Sequence, residues 1–263
     1  MSTRRPCGKR AAPSTWVMVV PDESLEDEAV KVCLEDLKMI GKDLGVPFKV
    51  TASTDPPSSN AIIVGDSSRN SLTKALQNRG IVRFQGTVDR EGYEIITFRQ
   101  RGKRLIVVAG GSLIGDVYGL YRIWDRLRAL GDLPALNLRE EPELGIRYTR
   151  IPVRSEDDIR RALRYRLNLV FGENPLNLVS WDSQPEAEEN RRHRENTRKL
   201  AQYAHSLHMR YLSFSTEFTY HPSLLREFGA TLALEDPRLW DAVQAKFRRL
   251  FEAVPELDGV ETF

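Results

Sequence analysis

Glu217 stands in the run Ser215-Thr216-Glu217-Phe218-Thr219-Tyr220-His221, directly after the apolar stretch that begins at Met209. A carboxyl group at the end of a strand is a candidate general acid or base when apolar neighbours raise its pKa. Phe218 and Tyr220 supply such neighbours and can stack on a flat ligand ring, with His221 beside them. A loop carboxylate that only makes a structural hydrogen bond has the same signature. A second polar group follows the apolar run Leu167–Phe171: Glu173, Asn174, Trp181 and Asp182. Glu173 and Asn174 can hold ligand hydroxyls, and Trp181 can form a wall. Asn174 before Pro175 is equally what a turn uses, and Trp181 serves equally as core. Arg150, near the end of an earlier strand, can clamp a carboxylate through paired N–H donors, or can pair with an acidic side chain of its own fold.

Other chemistries lack their patterns. His205 and His208 lie three apart on a helix, but H-E-x-x-H is absent, and both read as surface or capping residues. No G-x-S-x-G elbow occurs. Gly110-Gly111 precedes a helix, yet neither the dinucleotide fingerprint nor the P-loop spacing is present. Gly111, Gly115 and Gly119 therefore read as close packing of helix on sheet. Cys7 and Cys33 have no metal-ligand spacing, and Cys33 reads as a buried thiol on an amphipathic helix. No metal or cofactor is expected.

The elements that must position these groups follow from periodicity. Residues 1–14 read as a disordered tail. Residues 15–20 form an apolar strand, and a helix follows with Leu25, Ala29, Val32, Cys33 and Leu37 on one face, ending at Gly45. Residues 48–52 and 61–64 are further strands, with a short helix over 70–79. Tyr93–Phe98, the turn Arg101-Gly102-Lys103 and Leu105–Val108 form a hairpin. After Ser112, a candidate N-cap, Ile114, Val117, Tyr118, Tyr121 and Trp124 recur at helical spacing. Strands alternating with helices predict an α/β domain, with helices mainly on one face of its sheet. It spans 15–138, and 139–145 is a linker.

From residue 146 the pattern becomes strand–helix repeats. Strands are expected over 146–151, 167–171, 209–215 and from 259. Helices are expected over 156–166, 186–207 and 237–253, the last with Leu239, Trp240, Val243, Phe247, Leu250 and Phe251 inward. Such repeats imply parallel strands with right-handed crossovers. The second domain, 146–263, is then an incomplete (β/α)8 barrel with about four strands. Its fourth strand carries Asp258 at its start and Glu261 within it. A complete barrel takes about 250 residues, so a truncated product or a fragment is expected, with sheet edges open to pairing.

The runs EGYEI, LIVVAGGSLIGDVYGLYRIWDRL and REEPELGIRYTR, between Glu91 and Arg150, resemble the accessory N-terminal domain of family 67 α-glucuronidases and family 20 β-hexosaminidases. In those proteins a small α/β domain ends in a G-x-x-YG-x-Y helix, and a short linker leads into a (β/α)8 barrel. The resemblance implies hydrolysis of O-glycosidic bonds, of the glucuronide or hexosaminide class, with a carbohydrate as substrate. Such cleavage uses two carboxyl groups flanking the bond. Glu217 is then the catalytic candidate. Arg150, Glu173, Asn174, Trp181, Asp182, Tyr220 and His221 are the candidate sugar contacts. In the resembled families the principal catalytic carboxylates lie at the fourth strand's end or later, so this chain alone is expected to be inactive. The alternative is a non-catalytic carbohydrate-binding or assembly module, paired with a second copy or with a missing C-terminal half.

Composition narrows the class. Hydrophobic residues are 41% and charged residues 29% of 263, ordinary for a globular chain. A net charge of +2 gives no reason to expect nucleic acid or membrane. The basic run Arg191-Arg192-His193-Arg194 is interleaved with glutamates and reads as a solvated helix face. No leader segment is visible, so cytoplasm is expected, although a start site placed too late would hide a leader.

Overall fold

The computed structural model describes residues 15–52, 54–179, 188–215 and 222–262. The chain divides into two compact units, Met1–Glu143 and Leu144–Phe263. Both are α/β.

The first unit runs β1 (Trp16–Val19), α1 (Asp22–Leu25), α2 (Glu28–Leu44), β2 (Phe48–Thr51), β3 (Ala61–Val64), α3 (Ser71–Asn78), β4 (Tyr93–Gln100), β5 (Lys103–Gly110), α4 (Leu113–Leu130) and β6 (Asn137–Glu140). Its six-stranded sheet has the order β2-β1-β3-β5-β4-β6. β2, β1, β3 and β5 are parallel, and β4 runs antiparallel to β5 and to β6. The β4–β5 hairpin closes through Arg101 and Gly102, both at positive φ (50° and 78°), the two-residue turn that matches strand twist. α2 and α4 pack together on one face of the sheet, and the buried Tyr121 hydroxyl donates to Asp36 across them at 3.0 Å. The other face carries the shorter α3, whose Leu72 and Leu76 pack on Val19, Ile63 and Val107.

The capping residues are local and legible. Asp27 accepts from the Ala29 and Val30 amides to start α2, and Gly45 at φ 72° ends it. Asn70 accepts from Leu72 to start α3 and donates to Val64 O. α4 starts differently. Ser112 occupies the N-cap position, but its hydroxyl donates to Arg90 O. The carboxylate of Asp116, in the first turn of α4, reaches back to the end of β5 instead. It accepts from Gly110 N at 2.6 Å and is held by Arg69, whose Nη2 also donates to Gly110 O at 2.7 Å. The glycines here are steric. A Cβ on Gly111 would lie 2.0 Å from Asp89 O, on Gly115 2.4 Å from Gly92 O, and on Gly119 2.5 Å from Val108 Cγ1. The Gly-Gly break is thus a packing contact, with the protein's own carboxylate at the helix start. Arg139 and Glu140, expected in a linker, belong to β6, the polar edge strand. Glu140 accepts from Tyr93 Oη and pairs with Arg122 at 2.7 Å.

The second unit runs α5 (Glu156–Arg164), β7 (Leu169–Phe171), α6 (Pro175–Leu178), α7 (Glu188–Ser206), β8 (Arg210–Ser215), α8 (Pro222–Phe228), α9 (Pro237–Ala253) and β9 (Gly259–Thr262). β7, β8 and β9 form a parallel sheet in sequence order, a partial barrel-like arrangement. Tyr211, Ser213 and Ser215 on β8 are fully buried. Tyr211 bonds to Thr197 of α7, and Ser215 Oγ lies 3.4 Å from Lys246 Nζ of α9. The inward stripe of α9 is Leu239, Ala242, Lys246 and Leu250, whereas Trp240 (53%) and Phe251 (38%) are exposed. The expected stripe is corrected by the 3-4-4 spacing that runs through Lys246. Its long apolar stem fills a core position, and burial holds its ammonium down at about 8.

Two outcomes follow for the first unit. Gly111→Ala forces a methyl group against Asp89 O and costs about 2 kcal/mol in denaturant unfolding. Burial raises the Asp116 pKa from 3.8 to about 7, against the pull of Arg69 and the Gly110 amide. The folded state therefore holds a proton that the unfolded state has released. The stability from this carboxyl is full below about pH 4 and falls as pH rises to about 7. Urea unfolding across that range shows the decline in the wild type and a flatter profile in Asp116→Asn.

Candidate functional site

A parallel sheet gathers the C-terminal ends of its strands on one edge, and in barrel folds functional groups sit there. In register, Phe171 of β7 lies beside Leu212 of β8, Leu212 lies beside Gly259 of β9, and Phe214 lies beside Glu261. Side chains in register share a face, and the face alternates along each strand. Phe171, Leu212, Phe214 and Glu261 therefore line one face, opposite the buried Tyr211, Ser213 and Ser215 that meet the helices. This is the inner face of the partial barrel.

Tyr148 completes that face. Its ring meets Phe171 edge-on, with centroids 5.0 Å apart at 75°, and its hydroxyl donates to Glu261 Oε1 at 3.0 Å. It thus reaches from the flank of β7 across the sheet to β9. The other carboxylate oxygen, Oε2, is shielded from solvent and has no hydrogen-bond partner among the described residues. Shielded carboxylate oxygens are normally satisfied, so Glu261 Oε2 is a polar group of this face that the described residues leave unsatisfied.

Tyr148 gets there because its segment is not a strand. Asn168 N donates to Arg147 O at 3.0 Å, and Val153 N donates to Phe171 O at 2.7 Å. Six residue steps, 147 to 153, thus run beside the three steps from 168 to 171, and the surplus bulges out. The strand expected over 146–151 is replaced by this irregular segment, with Ile146 (54%) and Ile151 (73%) exposed. Arg147 fixes the near end, its Nε donating to Arg166 O and its Nη1 to Leu144 O.

The sequence-derived candidates fall into two groups. Glu217, Trp181, Asp182, Tyr220 and His221 lie outside the described residues. Arg150, Glu173 and Asn174 are described. Arg150 is exposed on the bulged segment. Asn174 caps α6, its side-chain oxygen accepting from Leu176 N at 2.9 Å, so the turn role accounts for it. Glu173 lies just beyond β7, at the expected edge. Its carboxylate accepts from Asn177 at 2.5 Å and stands 3.6 Å from His193, while Ser213 Oγ donates to its carbonyl. It also lies near the Tyr211 phenol, whose pKa is raised first by burial and then by the Glu173 charge. The neighbouring Gly172 is obligatory, since a Cβ there would lie 1.9 Å from Tyr211 Oη.

Glu261 was visible in the sequence only as a lone acid in a strand. The signal that singles it out is register, which needs the partner strand. His205, read as a surface or capping residue, is tied to Asp258 at 2.8 Å, and the same carboxylate oxygen accepts from Tyr211 N. That clamp sits at the N-terminal ends of the strands, the edge associated with stability. Among the described residues no cluster of three or more metal-ligating side chains occurs, and no helix is long and apolar enough to cross a membrane.

No protein-family model and no curated protein matches the chain. Among solved structures it is similar to a GH138 enzyme targeting pectin rhamnogalacturonan II, with a TM-score of 0.63 and 14% identity over 95% of this chain. It is also similar to CpGH84D, with a TM-score of 0.47 and 13% identity over 94% of this chain. The chain spans 38% of the first structure and 40% of the second. The fold is glycoside hydrolase-like.

The Tyr148–Glu261 contact is testable by a mutant cycle. Tyr148→Phe removes the donor to Glu261 Oε1 and costs about 1 kcal/mol in denaturant unfolding. Adding Glu261→Met to that variant recovers most of the loss, because both polar partners are then gone.

Proposed function

We propose that the chain comprises the accessory domain and opening strands of a carbohydrate-active hydrolase that cleaves O-glycosidic bonds, with Glu261 as one of its two catalytic carboxyl groups. One observation carries this: Glu261 lies on the inner face at the C-terminal edge of the parallel sheet, with Oε1 oriented by Tyr148 and Oε2 buried without a hydrogen-bond partner among the described residues. A carboxyl group so held can give a proton to a leaving oxygen, or attack or activate water at a sugar carbon. Tyr148 and Phe214 are aromatic neighbours on which a sugar ring can rest. The second carboxyl group is Glu217, two residues beyond β8, or a residue of a strand following β9. In the latter case the 263-residue chain is inactive by itself. The substrate class is a glucuronide or a hexosaminide, and the fold neighbour's target adds pectic oligosaccharides to the panel.

The test is an assay of the full-length protein on aryl glucuronides, aryl hexosaminides and pectic oligosaccharides. Turnover is expected on one of them, and Glu261→Gln lowers its kcat by roughly a thousandfold, the range for loss of a general acid or base. An undiminished kcat removes Glu261 from the chemistry. Saccharide binding without turnover on any substrate favours a non-catalytic binding or assembly module. The exposed Leu144, Ile146 and Ile151 on the bulged segment are the specific support for that second reading.

A further inference from the structure

The first unit has a cavity of its own, on the α3 face of the six-stranded sheet and separate from Glu261. Its volume is about 540 Å³, within the range of small-molecule sites. The floor is aliphatic: Ile63 and Leu105 from the sheet, and Leu72 and Leu76 from α3. Pro56 and Pro57 form a wall that holds its shape. Three cations, Arg79, Arg101 and Lys103, stand among the lining residues, and no acidic residue does. None of the three makes a salt bridge among the described residues.

Arg101 is the first residue of the two-residue β4–β5 hairpin turn and Lys103 follows that turn, so the hairpin brings two of the three cations to the cavity.

We infer that this cavity binds a small organic anion with an apolar body, a carboxylate carried on a hydrocarbon chain or ring. The aliphatic floor takes the hydrocarbon, and its burial is the main gain. Arg79, Arg101 and Lys103 receive the carboxylate by charge-assisted hydrogen bonds at the rim. Sugars fit this lining poorly, since it has no aromatic platform. The site is therefore distinct in chemistry from the one at Glu261.

The experiment is calorimetric titration of the chain with decanoate and 4-phenylbutyrate, against decanol and decyltrimethylammonium as neutral and cationic counterparts. Amide chemical shifts at Ala75, Leu76 and Gln100 locate the binding. One carboxylate per chain is expected, with decanol bound about tenfold or more weakly and the cation not at all. The relative affinity of the two carboxylates tells a chain from a ring. The variant Arg79→Gln/Arg101→Asn/Lys103→Gln keeps a turn residue suited to positive φ, so it folds with unchanged or higher stability. Its decanoate affinity falls about tenfold or more. Ala75→Trp fills the cavity from α3 and abolishes binding while the thermal transition remains cooperative. Equal affinity for decanol and decanoate, an undiminished affinity in the triple variant, or shifts outside the α3 face overturns the proposal.

Discussion

The second unit depends on one constraint, the parallel register of β7, β8 and β9. Because alternate residues face opposite ways, that register sends Tyr211, Ser213 and Ser215 into the helices and Phe171, Leu212, Phe214 and Glu261 to the inner face. A slip of one residue would exchange the two sets. Gly172 lets the Tyr211 ring pass, and the Asp258 clamp on Tyr211 N and His205 fixes the start of β9. Both hold the register that aims Glu261. The groups at the N-terminal edge thus fix the register, and the proposed chemistry lies at the opposite edge.

The first unit solves a related problem by different means. A hairpin must hand over to a long helix at Gly110-Gly111 with almost no space between backbone segments. Gly110, Gly111, Gly115 and Gly119 make the approach possible, and Asp116 with Arg69 satisfies the Gly110 donor and acceptor at the break. Burial works against the charge of Asp116, and Arg69 works for it. The other face of the same sheet carries α3 and the cavity beside it.

Much of this was legible in the sequence. The hairpin, the Gly-rich entry to α4, and the strands at β7, β8 and β9 follow from periodicity and turn residues that act locally. What escaped depends on partners distant in sequence. The apolar run 146–151 predicts a strand, but β7 offers only three residue steps beside the six from 147 to 153, and the surplus bulges. Arg139 and Glu140 are polar, as an edge strand can be when one side is paired, and only their pairing with β4 marks them as the end of β6 rather than the start of the linker. Lys246 was passed over because its charge hides a core-filling stem. Glu261 has no motif around it. Only the register with Phe214 and the reach of Tyr148 mark it, and neither can be read along a single strand.

The most direct test is covalent labelling. The full-length protein would be treated with epoxypropyl glycosides of glucuronic acid, galacturonic acid and N-acetylhexosamines, then digested and mapped by mass spectrometry. Time-dependent inactivation by one of them, with the ester on Glu261 and protection by its parent sugar, is the predicted result. Inactivation with the label confined to other residues, and Glu261 unmodified, would contradict the role assigned to it.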